Sequence, residues 1–255
     1  KKAEYGKVIE GLKTGTAGIT AINDTKALEE LDQLGKKWAA MEKTLDEAME
    51  NGDALNAAML EIQATTYPMV EKFNSVVKGF AELKDPAYSR NIDFSGQLRM
   101  KTVNTAYLME RYARTSYELD KVSESLIKTQ SDIDTTISGL LNGSVELGLR
   151  SVPNREIAEK LRDAEDLWVK RKGLVVAAMK AKDAFAVRVH DLSAVHTPGM
   201  VATGEELSKL LALSGRGSAF KGIMIMAVAV LVSMGVAVFF MWSTNAHLLK
   251  PIMRV

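Results

Sequence analysis

The chain has no cysteine, so neither a disulfide framework nor thiolate chemistry is open to it, and its redox compartment leaves no mark on the sequence. Aromatic residues make up only 6% and prolines number 5, while 47% of the chain is apolar; that balance suits long packed helices better than a sheet core. No strand-like alternation bounded by hairpin turns occurs anywhere. The net charge of +1, with basic residues interspersed among acids, excludes a basic footprint for nucleic acid. There is no Gly-rich phosphate loop on a strand and no nucleophile with a matching base. His190 and His196 are six apart, off a common helical face and without a carboxylate to complete a metal set, so they read as surface residues. Asp132, Asp134, Glu29 and Glu30 read as solvated helix faces. No enzymatic activity, cofactor or metal is expected within these residues.

What the chain does have is an uncharged run, Gly222 to Trp242. About 21 residues at roughly 1.5 Å each span about 30 Å, the thickness of a bilayer's hydrocarbon core. The expectation is a transmembrane helix over 219–243, with Trp242 in the aromatic belt and His247 at the headgroups. Arg216 and Lys221 on one flank balance Lys250 and Arg254 on the other, so charge leaves the orientation open. Ala229, Ser233 and Ala237 form a stripe of small residues four apart, with Gly235 close by; it reads equally as a helix-packing face or as ordinary membrane-helix composition. With Lys1 in place of an initiator Met and Val255 just past the membrane exit, both ends read as cuts in a longer protein, and a first membrane anchor is expected upstream of Lys1.

Between Gln97 and Ser138 there is neither Gly nor Pro, and Leu98, Thr105, Tyr112, Leu119, Leu126, Ile133 and Leu140 recur every seventh residue. The pattern predicts one long helix, capped by Asp93 and fraying near Gly143 ahead of Pro153-Asn154. Further helices are expected over 3–22, 25–50, 53–84 and 154–197, the last either unbroken or interrupted near Lys182-Asp183. Pro68 and Pro198 read as kinks or boundaries. Another long element starts near Thr203 and runs into the membrane segment, with Gly215 and Gly217 as its flexible point.

Overlaying the two halves at a spacing of about 130 reveals a weak, ordered repeat. Trp38 falls on Trp168, Met49 on Met179, Asp53 on Asp183, Ala54 on Ala184 and Pro68 on Pro198; two residues out of phase, Ile9–Gly15 falls on Ile137–Gly143. The fold class expected is therefore all-α: a tandem, bimodular antiparallel four-helix-bundle sensor with a C-terminal transmembrane helix. Residues 1–84 would form a partial first module whose opening helix lies upstream of Lys1, and 91–215 a second, complete one. Trp38 and Trp168 are expected in bundle cores or interfaces.

The local sequence Asn91-Ile-Asp-Phe-Ser-Gly-Gln-Leu-Arg-Met100 stands out. Ser95-Gly96 permits close backbone approach, and Arg99, placed in the first turns of a helix, would join its guanidinium fork to free N–H groups and a positive dipole end. The residues alone fit an anion site or an ordinary solvated arginine.

Asn91 to Asn104 resembles the signature helix of the sensor domains of type IV pilus chemoreceptors (PilJ type) and nitrate/nitrite sensor kinases (NarX type), where an Asn, a small residue and Gly, then Arg-Met open a four-helix bundle. The resemblance extends to Asp166-Leu-Trp168 and covers about 91–215. It implies a homodimer with the Arg99 helices facing each other, and an anion-binding role for Arg99; Ser95, Gly96 and Lys101 beside it complete the candidate ligand set. The family's second basic residue is replaced here by Asn104, with Lys101 nearby, a departure that counts against nitrate itself. Leu248-Leu-Lys-Pro251-Ile-Met-Arg-Val255 resembles the start of a HAMP linker over 244–255. Together these imply the sensing and signalling part of a bacterial chemoreceptor in the inner membrane, its helical domain periplasmic, binding a small anion, an organic acid or a pilus or periplasmic protein, and relaying to a cytoplasmic signalling domain. The alternatives are the input domain of a sensor histidine kinase, whose catalytic domain would lie beyond Val255, and a structural membrane protein of helices.

Overall fold

The computed structural model describes residues 2–15, 21–115 and 117–213. The proposed membrane run Gly222–Trp242, its small-residue stripe, Gly215, Gly217, His247 and the HAMP-like end lie outside the described residues, among which no helix is long and apolar enough to cross a membrane. The described chain is helical throughout: α1 (Lys2–Thr14), α2 (Thr25–Glu82), a 3-10 turn (Pro86–Tyr88), α3 (Ser89–Arg114), α4 (Leu119–Asn142), α5 (Arg155–Asp191), a π turn (Leu192–His196) and α6 (Thr197–Leu213).

The long helix expected over the heptad series is two. α3 ends at Arg114 and α4 starts at Leu119, and the two pack antiparallel, with Lys101 of α3 ion-paired to Asp132 of α4. The turn needs neither Gly nor Pro. Thr115 Oγ1 donates to the Tyr117 carbonyl and accepts from its N–H, offering the backbone a local alternative to the helix. Glu118 takes φ 56°, and its carboxylate receives Lys121 at 2.6 Å and Arg111 at 3.5 Å. Tyr112 and Leu119 keep heptad spacing while standing on opposite sides of a chain reversal.

The converse correction applies to α2, which runs unbroken through Asn51-Gly52-Asp53, where a boundary was expected. Ala48, Leu55, Ala58, Met59 and Ile62 are all buried at helical spacing across it, and burial outweighs the ~1 kcal/mol helix penalty of one glycine. Pro68 also lies inside α2, where Thr65 and Thr66 hydroxyls bond back to the Glu61 and Ile62 carbonyls in the preceding turn. At Pro198 the chain instead widens into the π turn just before α6. Asp93 caps nothing, since α3 begins at Ser89 behind a turn whose cap is Asp85.

The described chain folds into two compact units, one a continuous stretch and the other assembled from two separate stretches. Residues 52–182 bring the second part of α2, α3, α4 and the first part of α5 around a core of Met69, Phe73, Phe80, Leu98, Ile133 and Trp168. α2 and α5 run antiparallel there, tied by Lys72–Asp163 at 2.7 Å and so close at Gly79 that an added Cβ would meet Ile157 at 3.0 Å. The other unit, built from the described residues of 1–51 and 183–213, gathers Ile9, Leu31, Leu34, Met41, Met200 and Leu207, with Trp38 half-buried against them. Within it Thr44 meets His196 at 2.9 Å, so that histidine is partnered, and Arg188 pairs with Glu47 at 2.8 Å.

The repeat is visible in the helix breaks. α1 ends at Thr14 with Gly15 at φ 78°, and α4 ends at Asn142 with Gly143 at φ 82°. Asp24 caps α2 by accepting the Ala27 N–H at 2.9 Å; Asn154 caps α5 by accepting the Ile157 N–H at 2.9 Å. Ala27, Leu31, Leu34, Met41 and Ala48 are buried in the first copy, as are Ile157, Leu161, Ala164, Arg171 and Ala178 in the second. Replacing the cap, Asn154→Ala, is expected to cost about 1 kcal/mol, read as a lower thermal midpoint, while Asn154→Asp retains most of it.

Candidate functional site

The Asn91–Met100 segment lies wholly inside α3, and Arg99 stands in its third turn. The backbone N–H groups around it are engaged in the helix, so the free-amide and dipole contribution expected at a helix start is absent there. The segment divides by face. Asn91, Ser95, Leu98 and Thr102 are buried; Arg99 is half-buried, and Met100, Val103 and Tyr107 are 69, 52 and 59% exposed.

Asn91 is a latch. Its Nδ2 donates to the Arg150 carbonyl at 2.6 Å and its Oδ1 accepts the Arg150 N–H at 3.2 Å. Beside it Arg90 donates to the Leu147 carbonyl and lies over the Phe94 ring at 5.5 Å. Together they hold the α4–α5 loop, where Ser144 and Leu149 form an isolated antiparallel bridge and Gly148, at φ 63°, leaves room for the Arg90 side chain.

Arg99 turns outward. Its Nη1 donates to Asn74 Oδ1 of α2 at 2.6 Å, and its Nη2 lies 3.5 Å from where a Gly96 Cβ would stand. An open groove of about 650 Å³ is lined by Val70, Arg99, Met100, Val103, Asn104 and Tyr107. Of the four candidate residues, Arg99 lines it, and Gly96 lies beside the Arg99 guanidinium. Ser95 faces the interior, its hydroxyl buried without a partner, and Lys101 is committed to Asp132 at 3.3 Å. Asn104, which stands where a basic residue was expected, lines the same groove.

Asp134, read as a solvated acid, accepts Trp168 Nε1 at 2.6 Å and Lys172 Nζ at 2.8 Å; Asp132 is likewise paired. No cluster of metal-ligating side chains occurs among the described residues. Sequence reasoning missed Arg171, which is fully buried in the 52–182 unit; its signal was a cation at a core position of the repeat, opposite Met41.

Residues 87–193 match the protein family described as type IV pili methyl-accepting chemotaxis transducer N-term. The match takes in α3, α4 and α5 and supports a sensing role of the chemotaxis-transducer kind. No curated protein sequence matches the chain.

Proposed function

We propose that this chain is the sensing and transmembrane-signalling part of a bacterial chemoreceptor that works as a homodimer, with α3 of one protomer against α3 of its partner. The supporting observation is the row Met100, Val103 and Tyr107, large apolar side chains at i, i+3 and i+7 left open to water on the helix that the family match covers. Pairing α3 with its copy covers that row. It also brings two Arg99 guanidiniums, each steadied by Asn74, to one seam. Two cations at a partly dry seam favour an anion between them, a small inorganic anion or an organic acid.

Binding there tightens the seam and shifts the long helices by a small slide or rotation. In this reading the domain is periplasmic, Gly222–Trp242 crosses the inner membrane, and the segment from Pro251 begins a HAMP relay to a cytoplasmic signalling domain. A chemoreceptor is preferred to a sensor kinase on the family description.

Two substitutions test the reading. Val103→Glu sets like charges across the seam and is expected to turn a dimer into a monomer in light scattering, with helicity unchanged. Arg99→Ala is expected to remove the rise in thermal midpoint given by the recognised anion in a screen of sulfate and small dicarboxylates. A monomeric wild type, or an anion response identical in Arg99→Ala, overturns it.

A further inference from the structure

The 52–182 unit keeps a second guanidinium, unrelated to the α3 groove, in its interior. Arg171 of α5 is 0% exposed, and no acidic side chain among the described residues pairs with it. Its Nη1 is saturated: it donates to the Ile62 carbonyl at 2.6 Å and to Thr65 Oγ1 at 3.0 Å. The opposite edge is nearly unused. Nε is buried without any acceptor, and Nη2 has only the Thr102 carbonyl, at 3.5 Å. The acceptors are neutral groups that leave the cation's charge uncompensated. The hydroxyls nearby on α3 are spent on their own helix, Thr102 on Leu98 and Thr105 on Lys101.

Packing does not require a cation here. The repeat sets Arg171 opposite Met41, which is equally buried in the apolar core of the other unit. A fold that fills this position with methionine in one copy and with an unpaired guanidinium in the other has given the second copy a charge that destabilises it unless something negative meets it. The free edge, Nε with Nη2, is the fork that planar anions take side-on through two parallel hydrogen bonds. One positive charge calls for one negative charge. Thr65, the Nη1 partner on α2, is half-buried, so the guanidinium lies one side chain from solvent on that side.

We propose that Arg171 forms an interior site for a small planar monoanion, of the size of formate, held on its Nε–Nη2 edge. The same guanidinium touches α2 through Ile62 and Thr65 and α3 through Thr102, so occupancy changes how α5 holds those two helices. The site is independent of the Arg99 seam.

The test uses the full chain at fixed ionic strength, with formate exchanged for gluconate, an anion too bulky for the interior. Wild type and Arg99→Ala are expected to show the same saturable rise in thermal midpoint with formate, and Arg171→Met none. Arg171→Lys, which keeps the charge and loses the fork, is expected to bind at least tenfold more weakly. Crystals of wild type soaked in bromide are expected to show an anomalous peak beside Arg171 Nε, a readout that stands even if Arg171→Met does not fold. A water in that place, or an equal formate response in Arg171→Met, overturns the proposal. Loss of the response in Arg99→Ala with retention in Arg171→Met also overturns it and leaves the seam reading intact.

Discussion

Trp168→Ala is expected to lower the stability of the chain by about 3–5 kcal/mol, the usual cost of emptying a large aromatic site in a core. Trp168 is 1% exposed among Phe73, Leu98, Ile133 and Leu161, and neighbours on several helices cannot all collapse into the space it leaves. Part of the loss is polar. The indole N–H donates to Asp134, a carboxylate that also holds Lys172, so removing the ring unties a link between α4 and α5. Trp168→Phe separates the two contributions: it retains most of the packing, loses the hydrogen bond to a charged acceptor, and is expected to cost roughly 1.5–3 kcal/mol. Urea unfolding followed by far-UV circular dichroism measures both. Equal losses for the two variants would mean that the hydrogen bond, and not the filled volume, is what the core needs from this residue.

Arg171→Met is expected to act in the opposite direction, stabilising the chain by up to about 3 kcal/mol at neutral pH in buffer free of small planar anions. Burial away from any counter-charge holds the guanidinium down to about 10, well below its ordinary value. The folded state therefore binds the proton less well than the unfolded state, and below that pH the wild type bears the whole cost of a charge kept out of water. As the pH rises through about 10 the folded guanidinium loses its proton while the unfolded one keeps it, and wild-type stability increases. The advantage of Arg171→Met is thus fully present at neutral pH and shrinks in alkaline buffer. Denaturant midpoints at pH 7 and pH 10.5 check the sign, and a variant that is less stable than wild type at both would show that the bonds to Ile62, Thr65 and Thr102 outweigh desolvation.

Local sequence marked the segment, and not its orientation. The Asn91–Met100 segment was conspicuous by composition, yet which of its side chains face outward depends on where α3 starts and on which helices cover it. With the start at Ser89 in place of Asp93, Arg99 moves from a helix mouth to a helix flank, and its partner becomes Asn74, a residue of α2 that no motif marks. Asn91 carries no sign in the sequence of its hold on the Arg150 backbone, because that contact joins residues far apart in the chain.

By itself the sequence determined that the described chain is helical and where α4 ends and α5 begins, since these follow from local propensity, a positive-φ glycine and capping residues acting within a few positions. Only tertiary structure decided that the heptad series breaks at Thr115, that α2 continues through Gly52, and that a lone arginine sits inside a core. Each of those outcomes is set by burial against residues distant in sequence, where several kcal/mol of packing outweigh the fractions of a kcal/mol by which local preference differs.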